Sequence, residues 1–199
     1  MKKIILIAIA TTFLLLQSCG GNTDMPSLST PEGLKQADSL VKTDFKKYDG
    51  KIHAIYLGTD DHRNHTVDVV SVNFMKDSKE YVANVTAYTG LAESESLVPS
   101  DKKQKTFSFS EIEFSNLTNA LKEASAQILA KDNKFHDFNI KSATFKKDDT
   151  TGKMIMEFEV MAKNPSTSYF GDRVSLKSDD FTFSFKQENG KITTADLTL

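Results

Sequence analysis

The 199-residue chain has one cysteine, no tryptophan, four prolines and only two arginines, Arg63 and Arg173. A single cysteine cannot close an internal disulfide or build a cysteine-based zinc site, and it leaves at most one thiol for nucleophilic chemistry. With 25 Lys+Arg against 27 Asp+Glu and a formal net charge of -2, there is no basic stripe of the kind that nucleic-acid binding requires, and no nucleic-acid partner is expected. No apolar run is long enough to span a bilayer, which takes roughly 20 residues. Also missing are a phosphate-cradling glycine loop, a dinucleotide fingerprint, a nucleophile-elbow serine and an HExxH helix. What remains is a chain of a size that makes one compact domain or two small ones.

The one apolar run stands at the N-terminus. Lys2 and Lys3 precede Ile4 to Leu16, which is interrupted only by Thr11 and Thr12. A charged head followed by a short apolar stretch is the pattern of an export signal, here residues 1–18. The run ends in Leu16-Gln17-Ser18-Cys19-Gly20, which resembles the lipobox of bacterial lipoproteins, with Gln17 at a position where Ala, Ser or Thr is commoner. The resemblance covers only these first 20 or so residues. It implies that Cys19 becomes the first mature residue and carries a diacylglyceryl thioether and an acylated amine. Each buried CH₂ contributes ~0.8 kcal/mol, so two or three chains make a permanent membrane anchor. The only thiol is then consumed by lipidation. Residues 19–30 are small, polar and aperiodic, the composition of a flexible tether. Where sorting follows the enterobacterial pattern, Gly20 after the cysteine implies the outer membrane, with the domain in the periplasm or at the cell surface.

The rest of the chain predicts an α+β domain with two helices on antiparallel sheet. Ser29-Thr30-Pro31-Glu32 offers a capping hydroxyl, a proline in the first turn and a glutamate three residues after Ser29. Leu34, Ala37, Leu40, Val41, Phe45 and Tyr48 then recur at helical spacing, predicting a helix over 31–48 that Asp49-Gly50 ends. Strands are expected at 52–57, 66–75 and 80–89, the last two joined so that Phe74 faces Tyr81 and Val72 faces Ala83. Residues 91–105 read as a linker. A short strand at 106–110, a capping box at Ser110–Glu113 and a helix with Leu117, Ala120, Leu121, Ala124 and Ile128 on one stripe follow. Further strands are expected at 135–146, 153–163, 179–187 and 191–198. For the last hairpin, a turn with Gly190 as a left-handed bulge sets Phe183 against Ala195, whereas a tight two-residue turn sets it against Asp196. The apolar pairing favours the bulge.

This order suggests two units, an α-β-β-β unit at 31–90 and an α-β-β-β-β unit at 106–199. It is similar to tandem units of PepSY-like and lactamase-inhibitor-like periplasmic proteins. No residue motif of those families is present, so the resemblance concerns element order only.

Two places could carry chemistry. Asp60-Asp61-His62-Arg63-Asn64-His65 lies between two strands, and Asp60, Asp61, His62 and His65 could offer a metal nitrogen and oxygen ligands. The competing reading is a solvated hairpin loop rich in turn formers. The segment 163–180 reads as a long connection, in which Tyr169, Phe170 and Arg173 supply the aromatic and guanidinium groups typical of binding hot spots. Tyr169 and Phe170 could instead plug the end of the sheet. His53 and His136 read as half-exposed residues at strand starts, and Asp148-Asp149-Thr150-Thr151-Gly152 as a hairpin turn.

The function expected from the sequence is a noncatalytic binding or assembly role in the cell envelope, with the membrane as one partner through Cys19 and an envelope protein or peptide as another. No cofactor is expected beyond a possible metal. The alternatives are a hydrolase using the Asp60–His65 loop through a metal or acid/base chemistry, and an inhibitor of an envelope hydrolase.

Overall fold

The computed structural model describes residues 26–60, 66–86, 95–99, 104–170, 173–194 and 196–197. Two helices lie on one face of a single eight-stranded antiparallel sheet, an α+β architecture as the sequence predicts. Helix α1 is Pro31–Asp44 and α2 is Asn116–Lys131. The strands are β1 Ile52–Asp60, β2 Thr66–Lys76, β3 Lys79–Thr86, β4 Ser96–Val98, β5 His136–Lys147, β6 Met154–Phe170, β7 Arg173–Glu188 and β8 Lys191–Thr193. Their order across the sheet is β4-β3-β2-β1-β5-β6-β7-β8. The two halves of the chain therefore meet at one seam, where β1 pairs with β5 from Ala54↔Lys146 to Gly58↔Ser142.

Both helices form for the reasons their sequences give. Thr30, extended at φ -110 and ψ 150, caps α1 by accepting from the Gly33 amide at 3.2 Å. Ser29, the other candidate cap, instead uses its hydroxyl to accept from the Ile140 amide at 2.8 Å, tying the entry of the chain to β5. Leu34, Ala37 and Val41 form the buried stripe of α1. Phe45 and Tyr48 extend it through a 3-10 turn, Lys46–Tyr48, that follows the α-helix proper. Gly33 is required by a close approach: a β-carbon there would lie 2.0 Å from the Ser27 carbonyl oxygen. In α2, Leu117, Ala120, Ala124 and Ile128 are buried as the stripe predicts.

The helix-facing side of the sheet completes the core with alternate residues of each strand, among them Val70, Val72 and Phe74 on β2, Ala143 and Phe145 on β5, and Phe158 and Val160 on β6. A fully buried side chain of this kind contributes ~1.5–3 kcal/mol relative to leaving it in water. Tyr48 stacks on Phe74 with ring centroids 3.8 Å apart, and Phe74 on Tyr81 at 5.9 Å.

Five local expectations are corrected. The capping box is Ser108 with Glu111, on a 3-10 turn at Phe109–Glu111, and not Ser110–Glu113. The strand expected at 106–110 reduces to one bridge, Ile52↔Phe107, because that turn begins immediately after it. Within the polar stretch 91–105, Ser96–Val98 pairs with β3 as the edge strand β4. It is held by Glu95, whose carboxylate accepts from the Tyr48 hydroxyl at 2.7 Å and meets Lys76 at 2.9 Å and Lys47 at 3.3 Å. These donors hold its pKa down to about 2, the Tyr48 hydrogen bond being the largest cause.

Fourth, the segment 163–180 is not a connection. β6 and β7 run through it in unbroken register, from Lys163↔Asp180 out to Phe170↔Arg173.

Fifth, the last turn is tight. Glu188 pairs with Lys191 and Gln187 with Ile192, and Asn189 and Gly190 are both left-handed, at φ 53 and 77. This is the type I′ geometry whose twist matches that of the strands. Gly190 thus has the expected positive φ, in a different turn. The bulged register gains its apolar pairs only from a strand that runs to residue 198. β8 ends at Thr193, so Ile192 is its one apolar residue that must face inward, and the tight register buries it to 4% exposure. The Asp77-Ser78 turn of the β2–β3 hairpin is likewise left-handed at both residues, φ 50 and 60. There the expected pairs Phe74↔Tyr81 and Val72↔Ala83 are the observed ones.

The turn assignment is tested by Asn189→Val. A β-branched residue held left-handed should cost about 1–2 kcal/mol in urea unfolding. In a bulged turn, where only Gly190 would be left-handed, the same change would leave the midpoint almost unmoved.

Candidate functional site

Because both helices lie on one side, the other face of the sheet carries the second set of alternating side chains. Ser142 and Thr144 on β5, Glu157 and Glu159 on β6, and Ser184 and Lys186 on β7 line a trough of about 640 Å³. Of its three charged residues, Glu157 and Lys186 each meet an opposite charge and Glu159 accepts from a hydroxyl. The Lys146 ammonium meets Glu157 at 2.7 Å, the Ser142 hydroxyl donates to Glu159 at 2.9 Å, and Lys186 meets Glu188 at 2.9 Å. Glu157 and Lys186 also border a second cleft of about 390 Å³, lined by His53, Gln104, Lys105, Lys146, Lys147, Asp148 and Asp149 among others. The two share Glu157 and Lys186 and offer hydroxyls, an amide group and partly neutralised charge. Such a surface recognises polar groups by hydrogen bonding.

Bordering the second cleft is a buried polar cluster. A bulge between Ile52 and Ala54 interrupts the alternation of β1, so Ile52 enters the core while His53 turns to the open face. There His53 Nε2 donates to Glu80 Oε1 at 3.0 Å, with both side chains below 10% exposure. Asn73 Nδ2 donates to the same oxygen at 2.8 Å, and Gln104 Nε2 to the other at 3.0 Å. Burial pushes the His53 pKa down, against the opposing pull of Glu80 and Asp149. The neutral ring that results carries its proton on Nε2, and buried Nδ1 has no hydrogen-bond partner among the described residues.

His53 is thus not half-exposed, as its place at a strand start suggests. His136 is close to that expectation: its side chain is 47% exposed, with Nδ1 3.2 Å from Asp137 Oδ2. Asp148 builds the expected hairpin turn by accepting from the Thr150 and Thr151 amides at 3.1 and 2.6 Å.

Of the proposed metal ligands, Asp60 is the last residue of β1 and pairs with Thr66. Asp61, His62 and His65 lie outside the described residues, as does Cys19. Among the described residues, no three His, Cys, Asp or Glu side chains group as a metal site. Tyr169, Phe170 and Arg173 are consecutive in the β6–β7 ladder, Tyr169 pairing with Val174 and Phe170 with Arg173. They form the tip of a two-stranded ribbon, since β5 pairs with β6 only as far as Lys163.

Sequence reasoning missed the His53–Glu80 pair. Glu80 begins a strand after a polar turn, a position that reads as solvent, and only its alternation with Val82 and Asn84 places it on a sheet face.

No protein-family model and no curated protein matches the chain. Among solved structures, the crystal structure of a candidate lipoprotein from Clostridium difficile 630 superposes with a TM-score of 0.33 and 14% identity, covering 73% of this chain and 91% of that one. A likeness this loose carries no argument about function.

Replacing Glu80 by Ala strips His53, Asn73 and Gln104 of their shared acceptor, and should cost about 2–4 kcal/mol in urea unfolding. The lowered His53 pKa sets a pH dependence of defined sign. The unfolded chain takes up a proton below about pH 6.5 while the folded ring resists it, so stability falls as pH drops from there towards the folded pKa, and levels off below it. His53→Phe should flatten this part of the curve. An unchanged slope between pH 7 and 5 would place the titration elsewhere.

Proposed function

We propose that this chain is a lipid-anchored cell-envelope protein whose α+β domain has a noncatalytic binding or assembly role. The observation that carries the anchor is the ordered run Lys2-Lys3, Ile4 to Leu16 and Leu16-Gln17-Ser18-Cys19. Cys19 takes the lipid, and in a cell with two membranes Gly20 favours the outer one. The distance between anchor and domain is short in sequence: Leu28 is already fully buried in the core. No helix among the described residues is long and apolar enough to cross a membrane.

The binding role draws its support from the one-sided sheet. A face with two clefts that share Glu157 and Lys186, rich in hydroxyls and paired charges, suits a polar protein or peptide segment of the envelope. Hydrogen bonds to such a partner would replace those made to water.

Metabolic labelling tests the anchor. The full chain expressed in a bacterial host should incorporate labelled palmitate and sediment with membranes, and Cys19→Ala should do neither. Palmitate on Cys19→Ala, or membrane release of the parent chain, would defeat the reading. For the binding role, a photocrosslinker at Thr144 or Ser184 should give discrete adducts in native envelopes, whereas one at exposed Glu123 on α2 should not. Equal adducts at all three positions would remove the open face as the binding surface.

A further inference from the structure

The β6–β7 ribbon beyond Lys163 and Asp180 has two edges, and they differ. In an antiparallel strand, the N–H and C=O of one residue point to the same edge, and successive residues alternate. On β7 the even-numbered residues point away from β6. Glu188 and Lys186 face β8, and the Ser184 amide and carbonyl are taken by the Asp196 carboxylate and the Thr194 hydroxyl. These two side chains end the ladder. Beyond them, no described strand pairs with β7 on that edge, which leaves the backbone groups of Thr182, Asp180, Ser178 and Leu176 facing outward.

The opposite edge of the ribbon is blunted. Pro165 pairs with Ser178, and the same alternation directs its ring nitrogen outward, where it removes a donor and blocks strand addition. The β7 edge has no proline. Along it stand Leu176, 81% exposed, Phe181, 43% exposed, and the acidic pair Asp179-Asp180, with Lys177 of opposite charge.

We propose that the β7 edge from Leu176 to Thr182 is a strand-addition site for an extended polypeptide segment. Antiparallel to β7, that segment presents basic residues opposite Asp179 and Asp180, an acidic residue opposite Lys177 and an aliphatic one opposite Leu176. Backbone pairing supplies the affinity and the cross-strand charges supply the register. The proposal deepens the binding role above by naming a surface and a partner chemistry, and it is independent of the open-face clefts.

The probe is a synthetic peptide, Thr-Val-Lys-Lys-Thr-Glu-Ile, compared with its charge-swapped form, Thr-Val-Glu-Glu-Thr-Lys-Ile. In NMR titrations of the domain from Pro26 onward, carried on the full chain with Cys19→Ala, the first peptide should shift the amides of Leu176, Ser178, Asp180 and Thr182 and slow their hydrogen exchange. The swapped peptide should bind at least about tenfold more weakly. Ser178→Pro removes an outward donor as Pro165 does on the other strand, and should abolish the effect. The double change Asp179→Lys with Asp180→Lys keeps the backbone and should reverse the peptide preference.

Equal binding of both peptides to the parent chain, or no protection of the even-numbered amides, would overturn the proposal. So would full binding to Ser178→Pro. Loss of peptide binding with adducts retained at Thr144 and Ser184 would remove the edge site and leave the wider binding role standing.

Discussion

The pairing of β1 with β5 is the contact on which the rest of the molecule depends. It joins segments more than 80 residues apart along the chain, as the Thr59 hydroxyl donating to the Lys141 carbonyl at 2.9 Å illustrates. Without it, the strands on either side would form two separate four-stranded sheets, each with an open edge. With it, one continuous sheet receives both helices on one side, and the cost of closing so long a loop is met once, at the centre. The apolar alternation of every strand then has to agree on a common inner face. Ser142, Thr144, Glu157, Glu159, Ser184 and Lys186 are carried to the outer one.

That division accounts for the character of the outer face. Its residues pair with one another: Lys146 with Glu157, Ser142 with Glu159, His53 with Glu80. Most of the charges are partly solvated and internally balanced, so the face is polar without strong net charge. The His53–Glu80 pair differs from the others in its burial. It sits where β1 is bulged, which is also where the regular ladder would otherwise have sent His53 into the core. Bulge, histidine and carboxylate form one local solution to a break in the strand.

How much of this was legible in the sequence depended on whether a signal was local and periodic. The stripes of α1 and α2 and the β2–β3 register could be read directly, because each rests on spacing within a short window. The β6–β7 ribbon could not. Its outer part, Asn164 to Asp180, has no hydrophobic alternation in its sequence, and its polar composition resembles that of a loop. The pairing that maintains it is read along the backbone, from Asn164↔Asp179 to Phe170↔Arg173. The β7–β8 turn was hidden for a related reason: the apolar pairing of Phe183 with Ala195 favours a bulged register, whereas the strand ends at Thr193. The buried Glu80 was hidden because its partners come from β1, from β2 and from Gln104, none of which lies next to it in sequence. The Asp60–His65 grouping stays a sequence observation, three of its four side chains being outside the described residues.

The entry of the chain has a mechanical consequence. Leu28 is sealed in the core, the Ser29 hydroxyl holds the Ile140 amide of β5, and the absence of a side chain at Gly33 lets the Ser27 carbonyl rest against the start of α1. Tension arriving from the residues before Pro26 would not peel a strand from an edge of the sheet. It would load α1 and a strand of the central seam together, so the domain is fastened near the middle of its fold and not at either edge strand, β4 or β8.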